Sequence, residues 1–262
     1  PHLVEKKNAI ILRLFMWYVL RRADRILCVS NSTRDDLVAM FPQLEQKAVV
    51  IHSGIDTTRF RPLESVDERE DVFSYLRERY GIRGGYVLSV ATLNPRRNLG
   101  RLIEAFRELQ GDPDHKDRQL AIAGVSDYRS EELKDVVTRL GLAESVRFLG
   151  YVPREDLPKL YQCAACSVCV SLYEGFGFPV LESLACGVPT VASRVSSLPE
   201  IGGEVTVYVD PLDTQDIARG INAALGGHHS LCPTDRVDWA SRFRWEDTAR
   251  KTYHLYLETI GG

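Results

Sequence analysis

Short apolar segments alternate with amphipathic helical patterns through most of the 262 residues. The clearest helical pattern is a single apolar stripe formed by Leu99, Leu102, Ile103, Phe106 and Leu109. Asn98 directly precedes this stripe and is expected to cap the helix. The alternation predicts an α/β fold, with a doubly wound parallel sheet covered by helices on both faces. Predicted strands cover residues 26–30, 49–52, 86–91, 119–123, 146–149, 165–170, 190–192 and 205–209, and predicted helices begin near residues 33, 98, 131, 178, 214 and 245.

The first two strands, within residues 1–52, are too few to bury a core of their own. A turn and a polar segment through Arg69 follow His52, a composition that fits a crossing between domains. We therefore expect residues 1–52 to be the end of another domain, 53–244 to form the main domain, and 245–262 to be a closing helix. Because the chain starts at Pro1 without an initiator methionine, we expect the complete protein to have a larger N-terminal portion.

Composition excludes few function classes. A hydrophobic content of 44% is enough for a core, and a formal net charge of -3 without a long basic run gives no reason to expect a nucleic-acid partner. Cys163, Cys166 and Cys169 have a spacing that metal ligands can show, but they fall where a helix gives way to an apolar strand, so core thiols are favoured. No metal role is expected for His228 and His229. Without a cysteine framework or a signal peptide, the chain is expected to be cytoplasmic and reduced.

An apolar run at residues 14–20 is flanked by arginines on both sides. Seven residues are too few to cross a bilayer, which needs about 20. Two interpretations stay open: a helix lying on a membrane surface, which would place the protein peripherally at the inner face of the membrane, or a helix that packs against a neighbour outside this chain. The second is favoured.

The stretch from Glu174 to Glu182 carries the strongest functional signal. Between the two acids stand Gly175, Phe176, Gly177, Phe178, Pro179, Val180 and Leu181. Pro179 suits the first position of a helix, and glycines before a helix let backbone N–H groups approach a phosphate. A carboxylate is not expected against phosphate, so Glu174 and Glu182 are expected to accept hydrogen bonds from hydroxyls, one on a sugar and one on a ribose. The stretch is interpreted as a site for a sugar joined to a nucleotide diphosphate.

Other candidate positions follow predicted strands. Arg96 and Arg97 come after Pro95, and they are either a solvated basic patch or a bidentate phosphate site. The second interpretation is favoured because ligands of doubly wound sheets bind at the carboxyl ends of strands, where the Glu174 loop also lies. Positions expected to contact the donor, in part as a base pocket, are Thr92, Gly124, Tyr151 and Val152, although single glycines after strands also occur as ordinary turns.

Five motifs in order resemble family 4 retaining glycosyltransferases. They are residues 22–30 (RADRILCVS), 51–56 (IHSGID), 94–98 (NPRRN), 146–150 (VRFLG), and 174–179 (EGFGFP) with Glu182. The family has the GT-B architecture of two Rossmann-like domains facing a cleft. The resemblance implies that residues 53–244 are its C-terminal, donor-binding domain, that residues 1–52 end the N-terminal acceptor domain, and that the last helix packs back on the latter.

The resemblance also implies roles. Glu174 would hold hydroxyls of the donor sugar, Glu182 the ribose, and Arg96 and Arg97 the diphosphate, with backbone groups of residues 175–180 touching sugar and phosphate. The family more often has lysine at the position of Arg97. No metal or other cofactor is expected. The arginine loop most resembles mannosyltransferases that use GDP-mannose, although transferases using UDP-hexoses carry similar loops, and the acceptor would be a saccharide or a lipid-linked saccharide.

Three functions remain in competition at the level of sequence. A hexosyltransferase is favoured, the second is a nucleotide-sugar-binding fragment or subunit without activity of its own, and the third is a GT-B phosphorylase or sugar-nucleotide epimerase. Neither a Walker-type lysine loop nor a nucleophile elbow is present in the sequence.

Overall fold

The computed structural model describes residues 15, 17–125, 130–226 and 232–261. Two compact units divide the chain, one covering Ile55–Arg242 and the other combining the segment that ends at Gly54 with the segment that starts at Phe243. The assignment of the smaller unit to an acceptor domain stays a prediction.

Within the described residues the strands are β1 (Ile26–Cys28), β2 (Ala48–Val50), β3 (Val87–Val90), β4 (Leu120–Ala123), β5 (Val146–Gly150), β6 (Cys166–Cys169), β7 (Thr190–Ser193) and β8 (Val207–Val209). The helices are α1 (17–22), α2 (Asn31–Met40), α3 (Val66–Tyr80), α4 (Leu99–Leu109), α5 (Ser130–Arg139), α6 (Leu157–Cys163), α7 (Phe178–Ala185), α8 (Leu198–Gly202), α9 (Thr214–Leu225), α10 (Pro233–Ala240) and α11 (Trp245–Ile260). Short 3₁₀ turns occur at Pro42–Lys47, Pro95–Arg97 and Gly203–Val205.

The larger unit is built on a parallel sheet in the order β5-β4-β3-β6-β7-β8. From β3 the chain adds β4 and β5 on one side, and then returns to add β6, β7 and β8 on the other. The strand order therefore reverses between β3 and β6. Open α/β sheets bind ligands at such a switch point, at the carboxyl ends of the strands. The predicted doubly wound fold is confirmed.

The main core lies between the sheet and its helices. Leu102, Ile103 and Phe106 of α4 are fully buried, as the predicted stripe requires, and they share one cluster with Leu120 and Ile122 of β4. Parallel strands covered on both faces are mostly apolar, and the four central strands β3, β4, β6 and β7, buried at nearly every position, were predicted to within one residue at each end. The outer strands and the pair β1 and β2 are partly exposed and were predicted to within one or two residues.

Helix α3 corrects a prediction, because its segment was expected to be part of a polar crossing. Ser65 accepts a hydrogen bond from the N–H of Glu68 at the start of the helix, and Gly81 ends it in a left-handed conformation with φ 65°. Leu76 is the one fully buried residue of α3, so the hydrophobic positions along this segment only weakly indicate an amphipathic helix.

The smaller unit contains the parallel pair of β1 and β2 and a small core that includes Leu20, Cys28 and Leu37. Helix α11 joins this unit, since the Thr248 hydroxyl donates a hydrogen bond of 2.7 Å to the carbonyl of His52. Of the apolar run at 14–20, Leu14 and Met16 lie outside the described residues.

In the described part of that run, Leu20 is buried, whereas Phe15, Trp17, Tyr18 and Val19 are exposed. Exposure of this kind is expected under both interpretations of the run. A search of the described helices finds none with the length and apolarity needed to cross a bilayer.

Candidate active site

Two loops meet at the switch point of the larger unit. One follows β3 and contains Arg96 and Arg97, and the other follows β6 and leads to Glu174. The N–H of Leu172 donates a hydrogen bond of 2.8 Å to the carbonyl of Arg96, which fastens the loops to each other. The predicted proximity of the arginine loop and the Glu174 loop is therefore observed.

Arg97 and Glu174 form an ion pair between Nη1 and Oε1. The Ser171 hydroxyl donates a second hydrogen bond of 2.9 Å to the same carboxylate oxygen. Only 16% of the Arg97 side chain and 8% of the Glu174 side chain are exposed, so water screens the pair poorly. Burial lowers the pKa of Arg97.

The two arginines of the loop differ in their surroundings. The buried Nε of Arg97 has no hydrogen-bond partner among the described residues. Arg96 is half-buried, and within the described ranges no residue forms a hydrogen bond or an ion pair with its guanidinium. Both groups retain donor capacity for an anion, as the phosphate interpretation requires.

Asn98 is not the predicted side-chain cap of α4. Its backbone has a left-handed φ of 58°, whereas a capping residue has extended backbone angles that aim its side chain at the first turn. The buried amide instead donates hydrogen bonds to the carbonyls of Val170, at 3.1 Å, and Pro211, at 2.7 Å. The Asn98 side chain thus ties the arginine loop to the end of β6 and to the loop before α9.

The glycine-rich turn precedes α7 as predicted, with the helix starting one residue earlier. Gly177 takes the N-cap position with φ 109°, Phe178 is the first helical residue, and Pro179 the second. Phe176 is buried, and its ring centroid lies 4.9 Å from that of the exposed Phe178. The N–H of Val180 donates to the carbonyl of Gly177 at 3.0 Å and its side chain is fully buried, and its predicted backbone contact with the donor stays a prediction.

Two serines after β7 hold this turn in place, and sequence reasoning missed both. The N–H of Glu174 donates to the hydroxyl of Ser196 at 2.9 Å, and the hydroxyl of Ser197 lies within 3.0 Å of the carbonyls of Glu174 and Phe176. Ser196 has φ 49°, a left-handed conformation that is uncommon outside glycine. The sequence carries no local signal for these contacts, because they join positions about 20 residues apart.

Glu182, on α7, makes its hydrogen bond away from the Arg97 pair. The hydroxyl of Tyr161 on α6 donates to its Oε2 at 2.9 Å. Burial raises the pKa of Glu182 to about 7, although the Tyr161 hydrogen bond and the charges of Arg154 and Arg59 act in the opposite direction. The acid predicted to bind ribose therefore changes charge near neutral pH.

The remaining predicted donor positions lie at the ends of β3, β4 and β5. Thr92 is exposed and its hydroxyl accepts a hydrogen bond of 2.8 Å from the Asn94 amide. Gly124 packs so closely that a Cβ would lie 1.9 Å from the carbonyl oxygen of Ala91. Tyr151 is 69% exposed and Val152 is half-buried. These positions occupy the same edge of the sheet as the arginine loop, and their roles as donor contacts stay predictions.

A cavity of about 380 Å³ lies beside the arginine loop, between α4 and α5. It is lined by Leu93, Asn94, Pro95, Asn98, Leu99, Gly100, Arg101, Glu104, Glu132 and Leu133. Neither acid of the Glu174–Glu182 stretch contributes to its wall.

The three closely spaced cysteines are buried in the core. Burial raises the pKa of Cys163 to about 11 and that of Cys166 to about 12, which keeps both as neutral thiols. Among the residues that the structure describes, no three His, Cys, Asp or Glu side chains are grouped to hold a metal ion. His228 and His229 lie outside the described residues.

The chain matches two family profiles. Residues 76–237 match the family described as "Glycosyl transferases group 1", and residues 2–59 match "Glycosyltransferase Family 4". Among the similar proteins is the O-antigen chain mannosyltransferase B of Escherichia coli, 31% identical over 90% of this chain and 61% of its own length. Another is the serotype-specific mannosyltransferase WbdA of Escherichia coli, 28% identical over 90% of this chain and 28% of its own length.

Solved structures share the fold. Anabaena Alr3699/HepE in complex with UDP-glucose superposes with a TM-score of 0.82 at 21% identity, covering 94% of this chain and 67% of that chain. This chain thus spans about three fifths of the length of mannosyltransferase B and about two thirds of that of HepE. The predicted GT-B fold and family resemblance are confirmed, and the chain belongs to the group 1 glycosyl transferases, with a family 4 segment at its start.

Proposed function

We propose that this chain carries the donor site of a retaining glycosyltransferase that moves mannose from GDP-mannose to a hydroxyl of a saccharide or lipid-linked saccharide acceptor. The observation that carries this proposal is the buried Arg97–Glu174 pair at the switch point, next to the N-terminus of α7. That arrangement offers positive charge to a diphosphate and a hydrogen-bond acceptor to sugar hydroxyls.

In the proposed reaction, the bond between the anomeric carbon and the diphosphate oxygen breaks, and the acceptor oxygen bonds to the same carbon from the same face. The acceptor proton passes to the departing phosphate. Negative charge grows on the diphosphate as it leaves. Arg96, Arg97, the N–H of Phe178 and the positive end of the α7 dipole therefore stabilise the transition state more than the ground state.

Binding of the donor requires an exchange of partners at the ion pair. A diphosphate competes with Glu174 for the guanidinium of Arg97, and the carboxylate is then released to accept hydrogen bonds from sugar hydroxyls. The unpartnered Nε of Arg97 adds a donor in the same plane. Glu182 would accept a hydrogen bond from the ribose.

Mannose is supported by the relatives, since both Escherichia coli proteins described above are named mannosyltransferases, and GDP is inferred from the resemblance of the arginine loop to transferases that use GDP-mannose. UDP-glucose is the competing donor, because it is bound in the HepE structure. A thermal-shift series with GDP-mannose, UDP-glucose and UDP-N-acetylglucosamine discriminates them, since a bound donor raises the melting temperature by mass action. We expect the largest rise with GDP-mannose.

Transfer itself is tested by following mannose release from GDP-mannose and its appearance on a saccharide acceptor. Glu174→Gln is expected to lower turnover by at least about 100-fold, which corresponds to about 3 kcal/mol of lost transition-state stabilisation. Asp135→Asn, at an exposed position of α5, is the matched control and should leave turnover unchanged. Wild-type turnover by the Glu174 variant would contradict the proposal.

A second candidate is a binding module that holds the nucleotide sugar but cannot transfer on its own. The observation that favours it is that the chain spans 61% of the length of mannosyltransferase B. Calorimetry with GDP and UDP, followed by the transfer assay on the same sample, separates the two functions. Binding without turnover would support the binding module for this chain.

A further inference from the structure

Glu182 faces the side chain of Tyr161, a residue that the proposed reaction does not use. Tyr161 is fully buried, and its hydroxyl donates a hydrogen bond of 2.9 Å to Oε2 of Glu182. No described residue donates to the other oxygen, Oε1. One oxygen of the carboxylate is therefore occupied, while the other keeps its acceptor capacity.

Packing holds the Tyr161 ring in place. The ring of Phe60 meets it edge-on, with centroids 6.1 Å apart and an interplanar angle of 63°. At the start of α6, the buried carboxylate of Asp156 accepts hydrogen bonds from the hydroxyls of Tyr75 and Tyr80, both on α3. A ring fixed in this way presents its hydroxyl at a constant position, which limits the rotamers open to Glu182.

The charged groups around Glu182 come from several elements. Arg59 precedes α3, Arg154 precedes α6, and the charge of each favours the ionised carboxylate. The Nη2 of Arg59 donates a hydrogen bond of 2.5 Å to the carbonyl of Arg154, which links the two segments. The thiol of Cys186, just after α7, also interacts electrostatically with Glu182.

We propose that Tyr161 is a positioning residue for the donor site, because it fixes Glu182 so that Oε1 accepts a hydrogen bond from a ribose hydroxyl of the nucleotide. This inference rests on the proposed function and deepens it. Tyr161 acts through Glu182 and has no contact of its own with the nucleotide. Its hydroxyl also favours the ionised, accepting form of Glu182, against the larger opposing effect of burial.

If Tyr161 positions Glu182, removal of its hydroxyl should change the pH dependence of nucleotide binding, whereas a purely structural role predicts no such change. In Tyr161→Phe the carboxylate loses a donor, so its ionised form becomes harder to reach and the pKa of Glu182 rises further. Nucleotide affinity then depends on pH over a higher range. Tyr86→Phe is the matched control, since Tyr86 is equally buried and its hydroxyl donates to the carbonyl of Leu160 at 2.5 Å. In the described part of the chain, no hydrogen bond joins Tyr86 to Glu182.

The test is isothermal titration calorimetry of the full 262-residue chain with GDP and with UDP at pH 6, 7, 8 and 9. The wild type is expected to bind one of these nucleotides more tightly as the pH rises through about 7. Tyr161→Phe is expected to bind about tenfold more weakly at pH 7, as the loss of a hydrogen bond to a charged group implies, with the rise displaced to higher pH. Tyr86→Phe is expected to reproduce the wild-type profile.

Equal affinity of Tyr161→Phe and wild type at every pH overturns the inference, as does an identical displacement in Tyr86→Phe. If Tyr161→Phe does not fold, Phe60→Leu takes its place, since it loosens the ring and leaves the hydroxyl; about threefold weaker binding supports the inference and unchanged binding overturns it. A wild type that binds neither nucleotide refutes the proposed function and this inference with it. That result is distinct from one in which wild type binds and Tyr161 has no effect.

Discussion

Arg97 and Glu174 pair across the switch point of the sheet, and both side chains are largely withdrawn from water. A buried ion pair contributes little net stability over an apolar substitute, but loss of one partner leaves the other charged and unpaired. Stability alone therefore does not explain why the protein has this buried pair. The pair is useful for function if a charged ligand takes the place of one partner, as the proposed diphosphate would take the place of Glu174 at Arg97.

Single substitutions in this pair should be more damaging than the double one. We expect Glu174→Gln and Arg97→Met each to lower the free energy of unfolding by about 3 kcal/mol, and the double variant to lose less than the sum. Urea denaturation measures all three. The exposed pair of Lys134 and Glu131 provides the control, because Glu131→Gln should cost at most about 0.5 kcal/mol. Additive losses at Arg97 and Glu174 would show that the ion pair is not formed in solution.

Substitution of Asn98 tests whether its side chain ties the loops together. Asn98→Ala removes two hydrogen bonds to backbone carbonyls. It also places an alanine, whose side chain cannot form hydrogen bonds, in a left-handed conformation at φ 58°, so we expect the free energy of unfolding to fall by about 3 kcal/mol. Asn98→Gly also removes the hydrogen bonds but accepts the left-handed backbone, and should be about 1 kcal/mol less damaging. Thermal and urea unfolding of both variants gives the comparison. Equal stability of the two would rule out a backbone contribution.

The sequence predicted those parts of the fold that depend on local pattern. Apolar strands and the stripe on α4 were correct because burial on both sides of a parallel sheet leaves a strong local signature. Helix α3 was missed since Leu76 is its one fully buried residue and its other apolar positions are only half-buried or exposed. The arginine and Glu174 loops were correctly placed together because strand ends in such sheets converge.

Contacts between distant segments were not predictable in the same way. The cap expected at Asn98 was wrong because its left-handed backbone and two remote carbonyls, rather than the first turn of α4, decide where its side chain lies. Ser196 and Tyr161 bond to Glu174 and Glu182 across about 20 residues, and neither contact has a signature in the intervening sequence. Serines in loops and tyrosines on partly apolar helices are common in proteins, so neither residue type indicates a functional contact by itself.

Gly124 should not tolerate a side chain. A Cβ there would lie 1.9 Å from the carbonyl oxygen of Ala91, so Gly124→Ala must displace the backbone at the end of β3. We expect a loss of about 2 kcal/mol or more and weaker nucleotide binding. Gly100→Ala is the control, since a Cβ at this position of α4 meets open space and should add about 0.5 kcal/mol. Equal stability of the two variants, measured by thermal unfolding, would contradict the packing at Gly124.

Asp156 should contribute stability that depends on its charge. Burial opposes ionisation of this carboxyl, but hydrogen bonds from Lys159, Tyr80 and Tyr75 outweigh it and lower the pKa. A lowered pKa means that the stabilisation is present above about pH 4 and is lost as the pH falls through the folded-state value. We expect Asp156→Asn to cost about 2 kcal/mol at pH 7 and clearly less at pH 3. Urea unfolding at both pH values, with the exposed Asp135→Asn as control, checks this.

Glu182 should have the opposite pH dependence. Because burial raises its pKa from 4.5 to about 7, the folded protein binds a proton that the unfolded chain has released, and the folded state loses stability as the pH rises through about 7. Glu182→Gln removes the buried charge and keeps an acceptor for the Tyr161 hydroxyl. We therefore expect this variant to unfold at a temperature a few degrees above wild type at pH 9, corresponding to about 2 kcal/mol, and at nearly the same temperature at pH 5.

Nucleotide binding separates this stability effect from function. An amide at position 182 cannot become charged, so the affinity of Glu182→Gln for GDP or UDP should be weak and independent of pH between 6 and 9, while wild-type affinity rises. The variant would then be more stable than wild type at high pH but would bind nucleotide less well. Such a trade-off between stability and binding is expected where a buried charge serves to bind a ligand. If Glu182→Gln were less stable than wild type at pH 9, the carboxyl would have an ordinary pKa, and its burial against Tyr161 would not control ionisation.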